Sequence, residues 1–163
     1  MKLRKKEDFD GKYWDNGIHC RWDQYLFKVA ELAAEINPNT VLEIGTNGIG
    51  LYFDSDSMGI TPKTNPTFLH DATVAPWPFK DKQYDLGIAT QVWEHLGTGQ
   101  TVAFGELQRT CKKAILSFPY LWQCDPTDCH YNITAEKINE WTNNCKYSKE
   151  YVIYYRLIRL YEF

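Results

Sequence analysis

Between Trp22 and Ile36 the apolar residues Trp22, Tyr25, Leu26, Val29, Ala30, Leu32, Ala33 and Ile36 recur every three or four positions. That spacing places them on one face of a helix, predicted over residues 18–36 and stopped by Asn37-Pro38-Asn39. Residues 40–44 form a short, mostly apolar run that reads as a buried strand. Further short runs predict strands at 58–60, 67–70, 84–90 and 114–118. Pro62 and Pro119 end two of them, because proline cannot donate to a ladder. Between the later strands, Val102, Phe104, Leu107 and Cys111 predict a helix over 100–113, and Thr134 caps another through Trp141. The Tyr-, Ile- and Leu-rich end, 151–163, predicts one or two closing strands, antiparallel at the sheet edge.

Strands alternating with helices or loops give an α/β, three-layer sandwich with a mostly parallel sheet. The first crossover departs from the usual plan. Only LYFDSDS separates Gly50 from the next apolar stretch, too little for a helix, so either the first crossover is shortened to a loop or single turn, or the second strand is short and displaced. Residues 1–17, polar and aromatic, read as an irregular arm on a single domain spanning 1–163.

Composition narrows the partners. The chain has 163 residues and a net charge of −3, from 18 basic and 21 acidic side chains. That balance offers no basic field for nucleic acid or an anionic membrane. No run approaches a membrane span, and the basic-then-acidic start MKLRKKEDFD has no apolar signal-peptide core. Five cysteines without a regular framework read as reduced thiols in a cytoplasmic protein. Aromatics reach 15%, and several sit in loops where they can line a pocket.

Candidate chemistry centres on VLEIGTNGIG, residues 41–50, where three glycines follow the first strand. Glycine allows positive φ and close approach of a ligand to the backbone. Ligands of open α/β sheets bind beyond the carboxyl ends of the strands, so a nucleotide-like cofactor is expected here. The bland alternative is a packed strand-to-helix turn. The glycine order, G-x-x-G-x-G, is not the dinucleotide fingerprint.

Four pieces in order resemble a family: VLEIGTNGIG, FLHDAT, PWPFKDKQYDLGIATQVWEHL and FGELQRTCKKAILSFP. Together they look like a small class I S-adenosylmethionine-dependent methyltransferase, of the type 11-like kind, over roughly residues 22–120. The resemblance implies a Rossmann-like fold and S-adenosyl-L-methionine as cofactor. It implies that Glu43, Gly45, Thr46, Asn47 and Gly48 face the cofactor's cationic methionine end. Asp71, beside the small Ala72, would accept from the adenine amine, and Gln91 would line the sulfonium side. The family's ribose-binding acid at the end of the second strand is missing. Thr61 stands there, with Asp54 and Asp56 as nearby alternatives.

In-line methyl transfer asks the protein to position an acceptor and, where needed, to remove its proton. His95 and His130 are the catalytic candidates, the latter because similar proteins carry a His before a hydrophobic-Thr-x-Glu helix. Tyr120, Trp122 and Tyr131 are candidate walls of the acceptor pocket, and Tyr13 and Trp14 a candidate lid; simple packing is the alternative for all five. Cys124, Cys129 and His130 have no matching second ligand pair in sequence, so no metal is expected. The reading is methyl transfer to a small-molecule acceptor, a hydroxyl of a sugar or secondary metabolite, with self-association as a homodimer left open. Its rival is a non-catalytic binding or scaffold module derived from a methyltransferase.

Overall fold

The computed structural model describes residues 1–9 and 21–163. Its strands are β1 (Val41–Ile44), β2 (Asp56–Gly59), β3 (Phe68–Leu69), β4 (Tyr84–Thr90), β5 (Cys111–Pro119), β6 (Tyr147–Ile153) and β7 (Arg156–Glu162). They form one sheet in the order β3-β2-β1-β4-β5-β7-β6. The first five run parallel, and β7 pairs antiparallel with both β5 and β6. The closing segment is thus a hairpin turning at Tyr154. Its second strand inserts next to β5, and its first strand becomes the edge.

Helix α1 (Phe27–Ile36) packs on one face of the sheet, and α2 (Gln100–Thr110) and α3 (Ala135–Trp141) pack on the other. Neighbouring residues of β5 show the alternation: Ala114 and Leu116 join the α2–α3 layer, and Ile115 joins the α1 layer. A π-helical turn, Trp22–Leu26, leads into α1, and the predicted start at 18–20 lies outside the described residues. The Asn37 left-handed cap ends α1 as the Asn-Pro-Asn signal implied.

Three boundaries differ from expectation, each for a local reason. Helix α2 stops at Thr110 because Lys82 takes over its end. The Lys82 backbone N–H donates to Arg109 O at 2.8 Å, and its ammonium donates to Gln108 O at 2.6 Å and Cys111 O at 3.0 Å. Cys111 is therefore free to extend and start β5 early. Strand β2 begins at Asp56 and omits Ile60, which is 72% exposed. The polar pair Asp56-Ser57 disguised it, since Asp56 accepts from the Tyr84 hydroxyl at 2.8 Å. Strand β6 starts at Tyr147, earlier than the apolar run, because an edge strand need bury only half its residues.

The first crossover, residues 45–55, contains no helix. Leu51 and Tyr52 fill the missing helix's place, buried beneath α1, with the Tyr52 hydroxyl donating to Ala33 O at 3.1 Å. The start of the chain is not loose over residues 1–9. Leu3 bridges Tyr52, Arg4 N–H donates to Leu51 O at 2.8 Å, and Phe9 is buried in the α1 layer.

Candidate functional site

The sheet's carboxyl edge opens into two adjoining cavities, of about 310 Å³ and about 70 Å³. Ile44, Gly45, Asn47 and Gln91 belong to the walls of both. The turn that separates them needs left-handed backbone at Gly45 (φ +67°), Asn47 (φ +55°) and Gly48 (φ +95°). Gly45 has a second constraint: a Cβ there would stand 2.7 Å from Val92 Cγ2. The larger cavity is walled by Met58, Gly59, Ile60, His70, Ala72 and His95, among others; Arg21, Tyr25, Thr46 and Thr90 help to wall the smaller.

Glu43 does a different job from the one sequence suggested. Its carboxylate accepts from Leu51 N at 2.6 Å, Tyr52 N at 2.8 Å and Ser55 Oγ at 2.8 Å. It is the anchor of the helix-free crossover, and both oxygens are already occupied. Burial pushes its pKa up, against the pull of those three donors and of Arg4.

Gln91, just after β4, also holds positive φ (+56°), a strained state for a residue with a side chain. Its Nε2 donates to Ser117 Oγ at 3.1 Å, while its buried Oε1 has no hydrogen-bond partner. Either way the amide is turned, one buried polar atom is left without a partner.

The ribose alternatives fail on position. Asp56 opens β2, and Asp54 precedes it, so both lie at the opposite end of that strand from the cleft. Thr61 is half-buried after β2, and its Oγ1 accepts from Lys63 N at 3.4 Å, capping a 3-10 turn. Among the described residues no carboxylate walls the larger cavity. Asp71 is exposed and folds an Asx turn, its Oδ1 accepting from Thr73 N at 2.9 Å and Thr73 Oγ1 at 2.8 Å. Those bonds hold its carboxyl below the usual carboxylate range. Ala72, beside it, is buried in the cavity wall.

His95 and His130 come together, ring centroids 4.9 Å apart, although 34 residues separate His95 from Cys129 next to His130. Glu94 lies beneath them, 5% exposed, with neither carboxylate oxygen hydrogen-bonded. Burial pushes its pKa up to about 7. Burial, and then the neighbouring His130, push the His95 pKa down. Trp122 flanks the pair, 5.7 Å from the His130 ring, and carries the Arg156 guanidinium at 5.1 Å on its other contact. Tyr131 is half-buried in the same loop, while Tyr120 leans on the α2–α3 core. Tyr13 and Trp14 lie outside the described residues. Sequence reasoning missed Arg21 and Glu94 as site neighbours, though Glu94 left a signal as the acid of the Glu-His-Leu that follows β4, and Cys129 stood out only in its local cluster with Cys124 and His130.

No family sequence model matches the chain. No curated protein is similar to it in sequence. Solved structures match throughout. A Pyrococcus horikoshii protein superposes with a TM-score of 0.72 at 16% identity, over 98% of this chain and 99% of its own. An S-adenosylmethionine-dependent methyltransferase from Clostridium acetobutylicum gives 0.64 at 10% identity, over 96% and 93%. Another from Aquifex aeolicus gives 0.63 at 11%, over 86% and 90%. The chain therefore has the Rossmann-like fold of class I methyltransferases, with a helix-free first crossover. Among the described residues no helix is long and apolar enough to cross a membrane.

Proposed function

We propose that this chain binds S-adenosylmethionine and transfers its methyl group to a small acceptor, a hydroxyl of a sugar or secondary metabolite. The observation that carries this reading is the pair of cavities hinged on Gly45, Asn47 and Gln91 at the carboxyl edge of β1 and β4. Left-handed backbone at Gly45 and Asn47 lets the turn wall both cavities, and Gln91 joins them. Tyr52 and Phe53 do not plug the cleft: Tyr52 is buried under α1, and Phe53 is exposed beneath Lys2 and Arg4.

In this reading the larger chamber takes the adenosine half against Met58, Ile60 and Ala72. The Asx turn of Asp71 uses Oδ1, which leaves Oδ2 for the adenine amine. Thr61 supplies a hydroxyl toward the ribose, and Thr46 and Asn47 receive the methionine end. When bound, the sulfonium supplies an electrophilic methyl and a good leaving group. What remains for the chain is alignment and exclusion of water. His95 and His130 orient the acceptor hydroxyl at the far end of the cleft, with Tyr120, Trp122 and Tyr131 as its walls. Formation of S-adenosylhomocysteine with a panel of sugar and polyol acceptors tests the reading. Turnover supports it, and no product above the blank overturns catalysis.

The missing carboxylate along the larger chamber favours a second reading, a module that holds the cofactor without turning it over. Binding of S-adenosylhomocysteine with no turnover on any acceptor separates this from the first.

A further inference from the structure

Two distant parts of the chain bring four ligand-type groups to one place. Glu94 and His95 come from the 3-10 turn after β4, and Cys129 and His130 come from the loop before α3. One ligand atom each from His95, Cys129 and His130 lie within 4.8 Å of one another. Cys129 Sγ is 3.4 Å from His95 Nδ1 and 3.5 Å from His130 Nδ1. Glu94 Oε1 is 3.9 Å from His95 Nε2 and 3.7 Å from His130 Nε2. Zinc bonds of about 2.0–2.3 Å in a tetrahedron set ligand separations of roughly 3.3–3.7 Å. The two Cys129–imidazole distances, both to Nδ1, already stand close to those edges, while Glu94 lies by the opposite ring nitrogens.

A second observation is independent of the spacing. Glu94 is buried, and neither of its carboxylate oxygens has a hydrogen-bond partner. A buried carboxylate left that way is costly, and a cation beside it removes the cost.

We propose that His95, Cys129 and His130 form a binding site for one divalent cation of the zinc type, with the buried Glu94 carboxylate beside it. Two imidazoles and a thiolate suit a borderline-soft ion such as zinc or cobalt. Magnesium and calcium prefer all-oxygen shells. His95 also walls the larger cavity, so the ion sits at the acceptor end of the cleft. With it bound, the imidazole nitrogens are ligands, and they orient the acceptor through the cation. Cation binding needs neither cofactor nor acceptor, so it stands or falls apart from methyl transfer.

The test is cobalt titration of the full chain after chelator treatment, followed by absorption. The expected result is one cobalt ion per chain, with a thiolate-to-cobalt charge-transfer band and the visible bands of four-coordination. Cys129→Ser removes the charge-transfer band, His95→Ala weakens affinity at least about tenfold, and Cys124→Ser changes nothing. A band that survives Cys129→Ser, or no stoichiometric binding by the wild-type chain, overturns the site. X-ray absorption of the zinc-loaded wild type decides without any variant. One sulfur and two imidazoles in the shell are expected, and an all-oxygen shell contradicts the proposal.

Discussion

Gly50 and Glu43 are fitted to each other: a Cβ on residue 50 would stand 2.5 Å from Glu43 Oε1. The carboxylate cannot retreat, because Leu51, Tyr52 and Ser55 hold it from three directions. This contact makes a helix-free crossover workable, since the buried acid satisfies backbone donors that a helix would have satisfied itself.

Gly50→Ala is accordingly expected to destabilise the fold by about 2 kcal/mol through overpacking. Glu43→Ala, which strands the Leu51 and Tyr52 N–H groups, costs about 3 kcal/mol. Equilibrium unfolding in urea measures both. Wild-type midpoints for both variants would remove Glu43 from its anchoring role.

Gly45→Val addresses the site itself. The added side chain meets Val92 and must accept φ +67°. Cofactor-product affinity is expected to fall at least about tenfold, because roughly 1–3 kcal/mol of backbone strain is released by deforming the turn. Calorimetric titration with S-adenosylhomocysteine, on protein whose circular dichroism matches wild type, reads the effect.

Acid stability should depend on Glu106. Its Oε2 accepts from Trp77 N at 2.6 Å and from Arg109 at 2.6 Å, while Arg109 reaches Phe79 O at 2.7 Å, so the pair pins the loop before β4. The Arg109 hydrogen bond outweighs the upward push of burial and, with the Trp77 N–H, holds the Glu106 pKa below the ordinary value of 4.5. A carboxyl depressed in the folded state stabilises above the unfolded-state pKa. That contribution drains away as pH falls through the folded value. Glu106→Gln should therefore lower stability at neutral pH and flatten its decline between the ordinary glutamate range and the lower folded value. Urea midpoints across that range check it, and parallel curves would contradict the assignment.

Sequence carried the parts that local pattern controls. Strands β1 and β4 were plain because both are buried on two faces and read as apolar runs, and Thr134 capped α3, its Oγ1 accepting from Lys137 N at 3.3 Å. The order of elements and the short crossover also followed from spacing alone. What stayed hidden depends on residues far apart in the chain. Lys82 sets where α2 ends, Tyr84 makes a strand start out of Asp56, and β7 slips between β5 and β6. At the site, the glycine turn was legible, but the use of Glu43 was not, because its donors lie eight to twelve residues downstream. Nothing near Cys129 in sequence announces His95, so the ligand cluster appears only once β4 and β5 are side by side.

The most direct measurement is calorimetric titration of the folded wild-type chain with S-adenosylmethionine and S-adenosylhomocysteine. The expected result is saturable, one-to-one binding of both, weakened at least about tenfold by Gly45→Val. The absence of any binding heat with either ligand at millimolar concentration would contradict the cofactor assignment at its root.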